Sequence, residues 1–114
     1  MENDLAYLVI VRLTECIVPG CCPGVAGGEA HHVYTGGGGM KCSHFDTVGI
    51  CTCHHTQGPD AVDKIGWSRE HEAGDDWWWE NIAKMTREEG IALTRERALT
   101  IVEQQKTAKE FRNG

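Results

Sequence analysis

Cysteine and histidine side chains are concentrated in two short segments of this chain, residues 16–22 and 51–55, and this concentration constrains the fold more than any other feature. Thiolate and imidazole groups are the ligands that zinc prefers. A chain of 114 residues buries only a modest fraction of its surface, so a bound metal ion would help it to fold. The sequence therefore predicts one small unit organised around a metal site.

The ligand spacing predicts a closed site. Four ligands in two turn-like pairs match tetrahedral zinc, and the set is Cys16, Cys21, Cys51 and His54. Two of the four assignments have an alternative, because spacing alone does not distinguish adjacent residues. The ligand could be Cys22 instead of Cys21, and Cys53 instead of His54. The alternative is that these cysteines are buried small hydrophobic residues.

The histidine pairs predict a second site. His31 and His32 are adjacent, and adjacent side chains on a strand point to opposite faces, so one ring can bind a metal ion while the other faces a reacting group. A neutral imidazole with a pKa of about 6.5 is well suited to take a proton from water. His55 and His71 are the obvious further ligands. His44 is expected to be an ordinary surface or core residue, with a hydrogen-bonding role in reserve.

Charge and hydropathy limit the function classes. The net charge of −6 argues against a protein that coats DNA through its phosphates, but less against an enzyme, since bound divalent cations add positive charge locally. No basic segment precedes the apolar run at residues 5–11, so we expect no secretion, reduced thiols and a cytoplasmic location. No apolar run approaches the roughly 18 to 20 residues that span a bilayer.

The residue pattern predicts an α+β fold. Residues 4–13 are apolar and fit a helix or a strand, residues 29–35 and 45–51 fit two strands of a hairpin, and residues 94–111 fit an amphipathic helix. Thr86 and Glu89 have the spacing of a capping box. Three consecutive tryptophans, residues 77–79, cannot all face one core, so at least one should be exposed and Trp77 is expected inside.

Three stretches together resemble a known family. Residues 30–41 read Ala-His-His-Val-Tyr-Thr-Gly-Gly-Gly-Gly-Met-Lys, residues 43–51 read Ser-His-Phe-Asp-Thr-Val-Gly-Ile-Cys, and residues 53–55 read Cys-His-His. They are similar to the HNH (ββα-metal) endonucleases, and most closely to the bacteriophage recombination-enhancement, RecA-dependent nucleases. The resemblance covers about residues 14–80 and does not reach the last thirty-odd residues.

The resemblance implies a small ββα-metal (HNH), zinc-stabilised nuclease core over residues 1–80 and a C-terminal helical extension over residues 81–114. Its expected substrate is DNA, with a recombinase as a possible partner, and its expected setting is the cytoplasm of a bacterial host infected by phage. The oligomeric state stays open. The rival interpretation is a non-catalytic zinc module that contacts protein or nucleic acid.

Carried over to this chain, the family pattern makes His31 and His55 ligands of a catalytic Mg²⁺, Mn²⁺, Ni²⁺ or Zn²⁺ ion and makes His32 the general base. The third ligand would be His71, with Asp60 or Asp63 as substitutes. The structural zinc ion would be held by Cys16, Cys21, Cys51 and His54.

The glycine run at residues 36–39 matches neither a P-loop nor a dinucleotide-binding fingerprint. Its backbone amides, notably those of Gly38 and Gly39, could approach a phosphate together with Lys41. A plain hairpin turn is an equally good interpretation.

Overall fold

A computed structural model describes residues 4–34, 43–68 and 75–113 of the chain. The elements follow in the order α1 (Asp4–Val11), β1 (Gly28–His32), β2 (Thr47–Cys51), a π-helical turn (Cys53–Gln57), α2 (Val62–Ser68), α3 (Asp76–Trp78), a second π-helical turn (Trp79–Ala83) and α4 (Arg87–Asn113). The α+β class is therefore confirmed, with a two-stranded sheet and helices.

Helix α1 resolves the choice that the sequence left open for the first apolar run. Tyr7 and Val11 are four residues apart and buried, while Val9 is exposed, which is the helical rather than the strand period. Tyr7 and Val11 pack with Ala98 of α4 in a small apolar cluster. This contact joins the two ends of the described chain.

The predicted hairpin is present, with shorter strands than expected. Strands β1 and β2 are antiparallel, and His31 is paired with Val48 while Glu29 is paired with Ile50. Val48 and Ile50 are fully buried in the larger core. Because side chains alternate along a strand, Glu29 and His31 leave the same face of β1, whereas His32 leaves the other.

Gly49 in β2 lets the segment after α1 lie directly on the sheet. A Cβ atom at this position would collide with the Thr14 hydroxyl, and it would lie 3.0 Å from the Val11 carbonyl oxygen. The Ile17 amide donates to the Gly49 carbonyl at 2.8 Å. The chain that carries the first cysteines is thereby held against β2.

The expectation that at least one ring of the tryptophan triplet is exposed was wrong. Trp78 and Trp79 are buried, with exposed fractions of 0% and 2%, and Trp77 is half-buried against the same core, so no ring in the triplet is exposed. The Trp78 and Trp79 rings meet edge to face with centroids 5.1 Å apart, and the Trp78 indole N–H donates to the Asp60 carbonyl at 2.8 Å. The change from α3 to the second π-helical turn allows consecutive rings to share one core.

Helix α4 begins at the predicted capping box. The Thr86 hydroxyl accepts from the Glu89 amide, and the Glu89 carboxylate accepts from the Thr86 amide, both at 3.0 Å. Its first turns bury Ile91 and Ala98, whereas residues 103–109 are exposed.

The division of the chain at residue 80 stays a prediction. In the described part of the chain, no helix has both the length and the apolar character needed to cross a bilayer.

Candidate metal centres

The first candidate centre lies where the segment after α1 meets the end of β2. Its side chains come from the segment after α1, the end of β2 and the first π-helical turn, and they are Cys16, Cys21, Cys51 and His54. The bond from Ile17 to Gly49 fixes the position of Cys16, and a turn bond from the Cys21 amide to the Val18 carbonyl, at 3.2 Å, brings Cys21 back toward it. These four residues form a group that can hold a metal ion.

The distances within this group match a tetrahedron of ligands. Nδ1 of His54 lies 3.3 Å from Sγ of both Cys21 and Cys51 and 3.8 Å from Sγ of Cys16, and the Cys21 and Cys51 sulfurs are 3.7 Å apart. Zinc with bonds of about 2.3 Å to sulfur and about 2.0 Å to nitrogen needs ligand–ligand edges of about 3.5 to 3.8 Å. The side chains are therefore spaced for four-coordination.

Ionisation of the thiols is unequal. Burial raises the pKa of Cys16 and of Cys21, and the neighbouring thiols reinforce the shift. At Cys51 burial also opposes ionisation, but hydrogen bonds from the His54 backbone and from the two other thiols outweigh it and lower the pKa. Crowded thiolates repel one another, and a dication is the partner that stabilises all of them at once.

The structure separates the adjacent candidates that spacing could not. Among the residues described, Cys22 and Cys53 belong to neither ligand group, and Cys53 is exposed. Gly58 ends the π-helical turn that positions these side chains, and its amide donates to the Cys53 carbonyl at 2.9 Å. A Cβ atom on residue 58 would collide with the same carbonyl. The turn directs His54 into the first group and its neighbour His55 into a second.

The second group consists of His31, His55 and Asp63. Nδ1 of His31 lies 3.8 Å from Oδ1 of Asp63, and Nε2 of His55 lies 3.7 Å from Oδ2 of the same carboxylate. The His31 and His55 rings stand edge to face with centroids 5.2 Å apart. Two imidazoles and a carboxylate with converging ligand atoms can hold a divalent cation.

Burial differs sharply across this second group. The His31 side chain is 9% exposed, the His55 side chain 19% and the Asp63 side chain 46%. Burial, with a smaller contribution from the neighbouring His55 imidazole, lowers the pKa of His31 to about 4, so the ring is neutral at neutral pH, which is the form that binds metal. Nε2 of His31 is buried and has no hydrogen-bond partner among the described residues.

Glu29 is hydrogen-bonded to His55 on the side of the ring opposite Asp63. Its Oε1 accepts a hydrogen bond from Nδ1 of His55 at 2.6 Å, and its Oε2 accepts one from the Thr52 hydroxyl at 2.5 Å. These two bonds lower the pKa of Glu29. Because an ionised carboxylate only accepts, the proton of neutral His55 sits on Nδ1, which leaves Nε2 free to face Asp63.

His32 lies beside the second group and outside it. Its Nε2 shares a hydrogen bond of 2.8 Å with Nδ1 of His44, and burial, followed by the charges of His44 and His55, lowers the pKa of His32. His44 thus has the hydrogen-bonding role that the sequence analysis gave as its alternative.

Four of the predicted site residues cannot be placed. His71, Lys41, Gly38 and Gly39 lie outside the described residues. Asp63, one of two substitutes named for the third catalytic ligand, lies in the second group, whereas Asp60 does not. The catalytic roles of these residues stay predictions.

Comparison of the chain with protein-family models, with curated proteins and with solved structures gave no match. The interpretation of the two centres therefore depends on their own geometry and on the residue pattern.

Sequence reasoning missed one member of this arrangement, Glu29. The signal was present, since Glu29 and His31 are two residues apart on a predicted strand and must share a face. What the pattern could not show is that the π-helical turn brings Thr52 and His55 onto that carboxylate.

Proposed function

We propose that this protein is a metal-dependent endonuclease of the HNH type that hydrolyses phosphodiester bonds in DNA. The observation that supports this most strongly is the separation of two ligand groups by a single turn, with His54 in one and His55 in the other. The first group is closed by four protein ligands, as in structural sites. The second has three ligands and an exposed carboxylate, as in sites that keep a position for water or substrate.

For the first group we propose Zn²⁺ as a structural ion. Three sulfurs and one nitrogen are soft ligands, and their edge lengths suit tetrahedral zinc. The four ligands join the segment after α1, the end of β2 and the π-helical turn. An ion at this position would fix the turn that also carries His55.

For the second group we propose a catalytic Mg²⁺, Mn²⁺, Ni²⁺ or Zn²⁺ ion. Two imidazoles with one carboxylate also suit Fe²⁺, so iron belongs in the assay. When bound, the ion would supply a positive charge at the phosphate that is attacked. His31, His55 and Asp63 would hold it, and the exposed side of Asp63 leaves the approach to the site open.

His32 is the general base in this proposal. It follows His31 directly at the end of β1, and the bond between its Nε2 and His44 restrains the ring. With its proton on Nε2 and donated to Nδ1 of His44, His32 would take a proton from the attacking water at Nδ1. The motifs in residues 30–55 extend the proposal to a phage-encoded enzyme of DNA recombination or processing.

The test is cleavage of supercoiled plasmid DNA by the full chain with each of these divalent ions. We expect the wild-type protein to cut, and His32→Ala to cut at least about 100-fold more slowly, because general-base catalysis contributes about 10² to 10⁴. Zinc content and thermal unfolding should be unchanged in the variant. Gln57→Ala, an exposed change on the π-helical turn that carries His54 and His55, is the control.

A wild-type protein that cuts no DNA with any of the ions would refute the nuclease. Normal cutting by His32→Ala would refute only the choice of base.

A non-catalytic zinc module is the second candidate, and the net charge of −6 favours it because affinity for phosphates usually comes from basic residues. Such a module needs only the first group. It would bind one ion tightly and show no second, exchangeable one.

A further inference from the structure

A carboxylate lies behind the second group and contacts only one of its imidazoles. Glu29 bonds to Nδ1 of His55 at 2.6 Å, while the opposite nitrogen of that ring faces Asp63 at 3.7 Å. A histidine that binds a metal ion through one nitrogen commonly donates from its other nitrogen to a carboxylate or carbonyl, which sets its tautomer and orientation. The line from Glu29 through His55 to Asp63 has this form.

Both oxygens of Glu29 are engaged. Oε1 accepts from His55 and Oε2 accepts from the Thr52 hydroxyl at 2.5 Å. Hydrogen bonds to an ionised acceptor are short and strong, and two of them restrain the carboxylate in one orientation. Glu29 is therefore arranged to hold His55 and not to bind an ion itself.

Thr52 supports the same conclusion. It stands immediately before the π-helical turn with a helical backbone conformation (φ −56°, ψ −40°), so its hydroxyl does not have the extended cap geometry that accepts from an amide of the turn. Among the described residues its hydroxyl caps no such amide and donates instead to Glu29. The hydroxyl is used to fix the carboxylate.

We propose that Glu29 is a positioning residue for the second metal centre: fixed by Thr52, it holds His55 with the proton on Nδ1 and presents Nε2 to a divalent cation. This inference rests on the cation site of the proposed function. It adds that the affinity of the site for a divalent cation depends on a residue that does not touch the ion.

The test is Mn²⁺ binding to the zinc-loaded full chain, measured by titration calorimetry, with no DNA present. We expect Glu29→Ala to weaken Mn²⁺ binding by about 10- to 100-fold, the usual effect of losing such a partner. Glu29→Gln keeps an oxygen that can accept from His55 and should recover part of the affinity. Thr52→Val should weaken binding less than Glu29→Ala, and Thr52→Ser should match the wild type.

The His55 tautomer gives a readout that a merely structural role would not change. ¹⁵N NMR of the full chain without Mn²⁺ should show the wild-type proton on Nδ1. In Glu29→Ala it should move to Nε2, the form that imidazole side chains prefer in water. Zinc content and the unfolding temperature of each variant confirm that the first group and the fold are intact.

The outcomes separate the two proposals. Wild-type affinity for Mn²⁺ together with an unchanged His55 tautomer in Glu29→Ala would overturn the role of Glu29 alone. A wild-type protein that, with only the first group filled by zinc, binds neither Mn²⁺ nor a second Zn²⁺ ion would overturn both. Normal Mn²⁺ binding and the expected Glu29 effects, without any DNA cleavage, would refute only the nuclease.

Discussion

At the scale of single residues, His54 and His55 are neighbours in the chain but belong to different sets of ligands. The π-helical turn sends one ring toward three thiols and the other toward His31 and Asp63. Since both rings are carried by the same short turn, an ion bound at one group would also limit the motion of the other histidine.

Asp63 and Asp60 provide a matched pair for the second group. Asp63 lies within reach of both imidazoles, whereas Asp60 is an exposed carboxylate three residues earlier that belongs to neither group. We expect Asp63→Ala to weaken Mn²⁺ binding by at least about 10-fold, because it removes a ligand itself and not a supporting partner. Asp60→Ala should leave the affinity within about twofold. Calorimetric titration of both variants measures the difference, and equal effects would show that Asp63 is not a ligand.

At the scale of secondary structure, residue pattern predicted the elements better than their contacts. The hairpin follows from alternating residues in 45–51, and the start of α4 follows from Thr86 and Glu89. These signals act within a few residues of the chain. Sequence spacing also predicted the four ligands of the first group. It did not decide between Cys21 and Cys22, which are distinguished by the turn that follows Val18.

The contacts that sequence did not predict depend on packing between elements. The approach of Asp63 to His31 depends on the packing of α2 against the first π-helical turn. The burial of Trp78 and Trp79 occurs where α3 changes into a π-helical turn, which no residue pattern predicted. Both follow from how helices share a small core. The secondary-structure propensity of a residue does not indicate which helices will pack against each other.

The capping box of α4 gives a prediction at this scale. Thr86→Ala removes the acceptor for the Glu89 amide at the first turn of a helix that packs on α1 and β2. We expect a loss of about 1 kcal/mol in the free energy of unfolding, the usual cost of losing such a cap, and Thr86→Ser should retain most of it. Urea unfolding followed by circular dichroism measures both. An unchanged midpoint for Thr86→Ala would mean that the first turn of α4 contributes nothing to stability.

At the scale of the whole molecule, two apolar clusters meet at the hairpin. The larger contains β2, α2 and the tryptophans, and the smaller joins α1 to α4 through Tyr7 and Ala98. The four ligands of the first group connect the segment after α1, the end of β2 and the first π-helical turn. In a small chain, binding energy at such a group becomes folding energy.

Cys21 and Cys22 test this dependence as adjacent residues of the same type. Cys21→Ser should lose the tightly bound zinc and lower the unfolding temperature strongly, because one of four ligands is gone. Cys22→Ser should keep the zinc and unfold within a few degrees of the wild type. Atomic absorption and thermal circular dichroism on the two purified variants give the comparison. Loss of zinc from Cys22→Ser with retention in Cys21→Ser would reverse the assignment.

The existence of two distinct metal centres, one on either side of the first π-helical turn, is the proposal on which the others depend. Its most direct test is anomalous diffraction from crystals of the zinc-loaded protein soaked in Mn²⁺, recorded near the absorption edge of each metal. We predict a zinc peak enclosed by the three thiols and His54, and a separate manganese peak between His31, His55 and Asp63. A single zinc peak, with the His31 and His55 rings pointing away from each other and no manganese, would contradict the presence of a second centre.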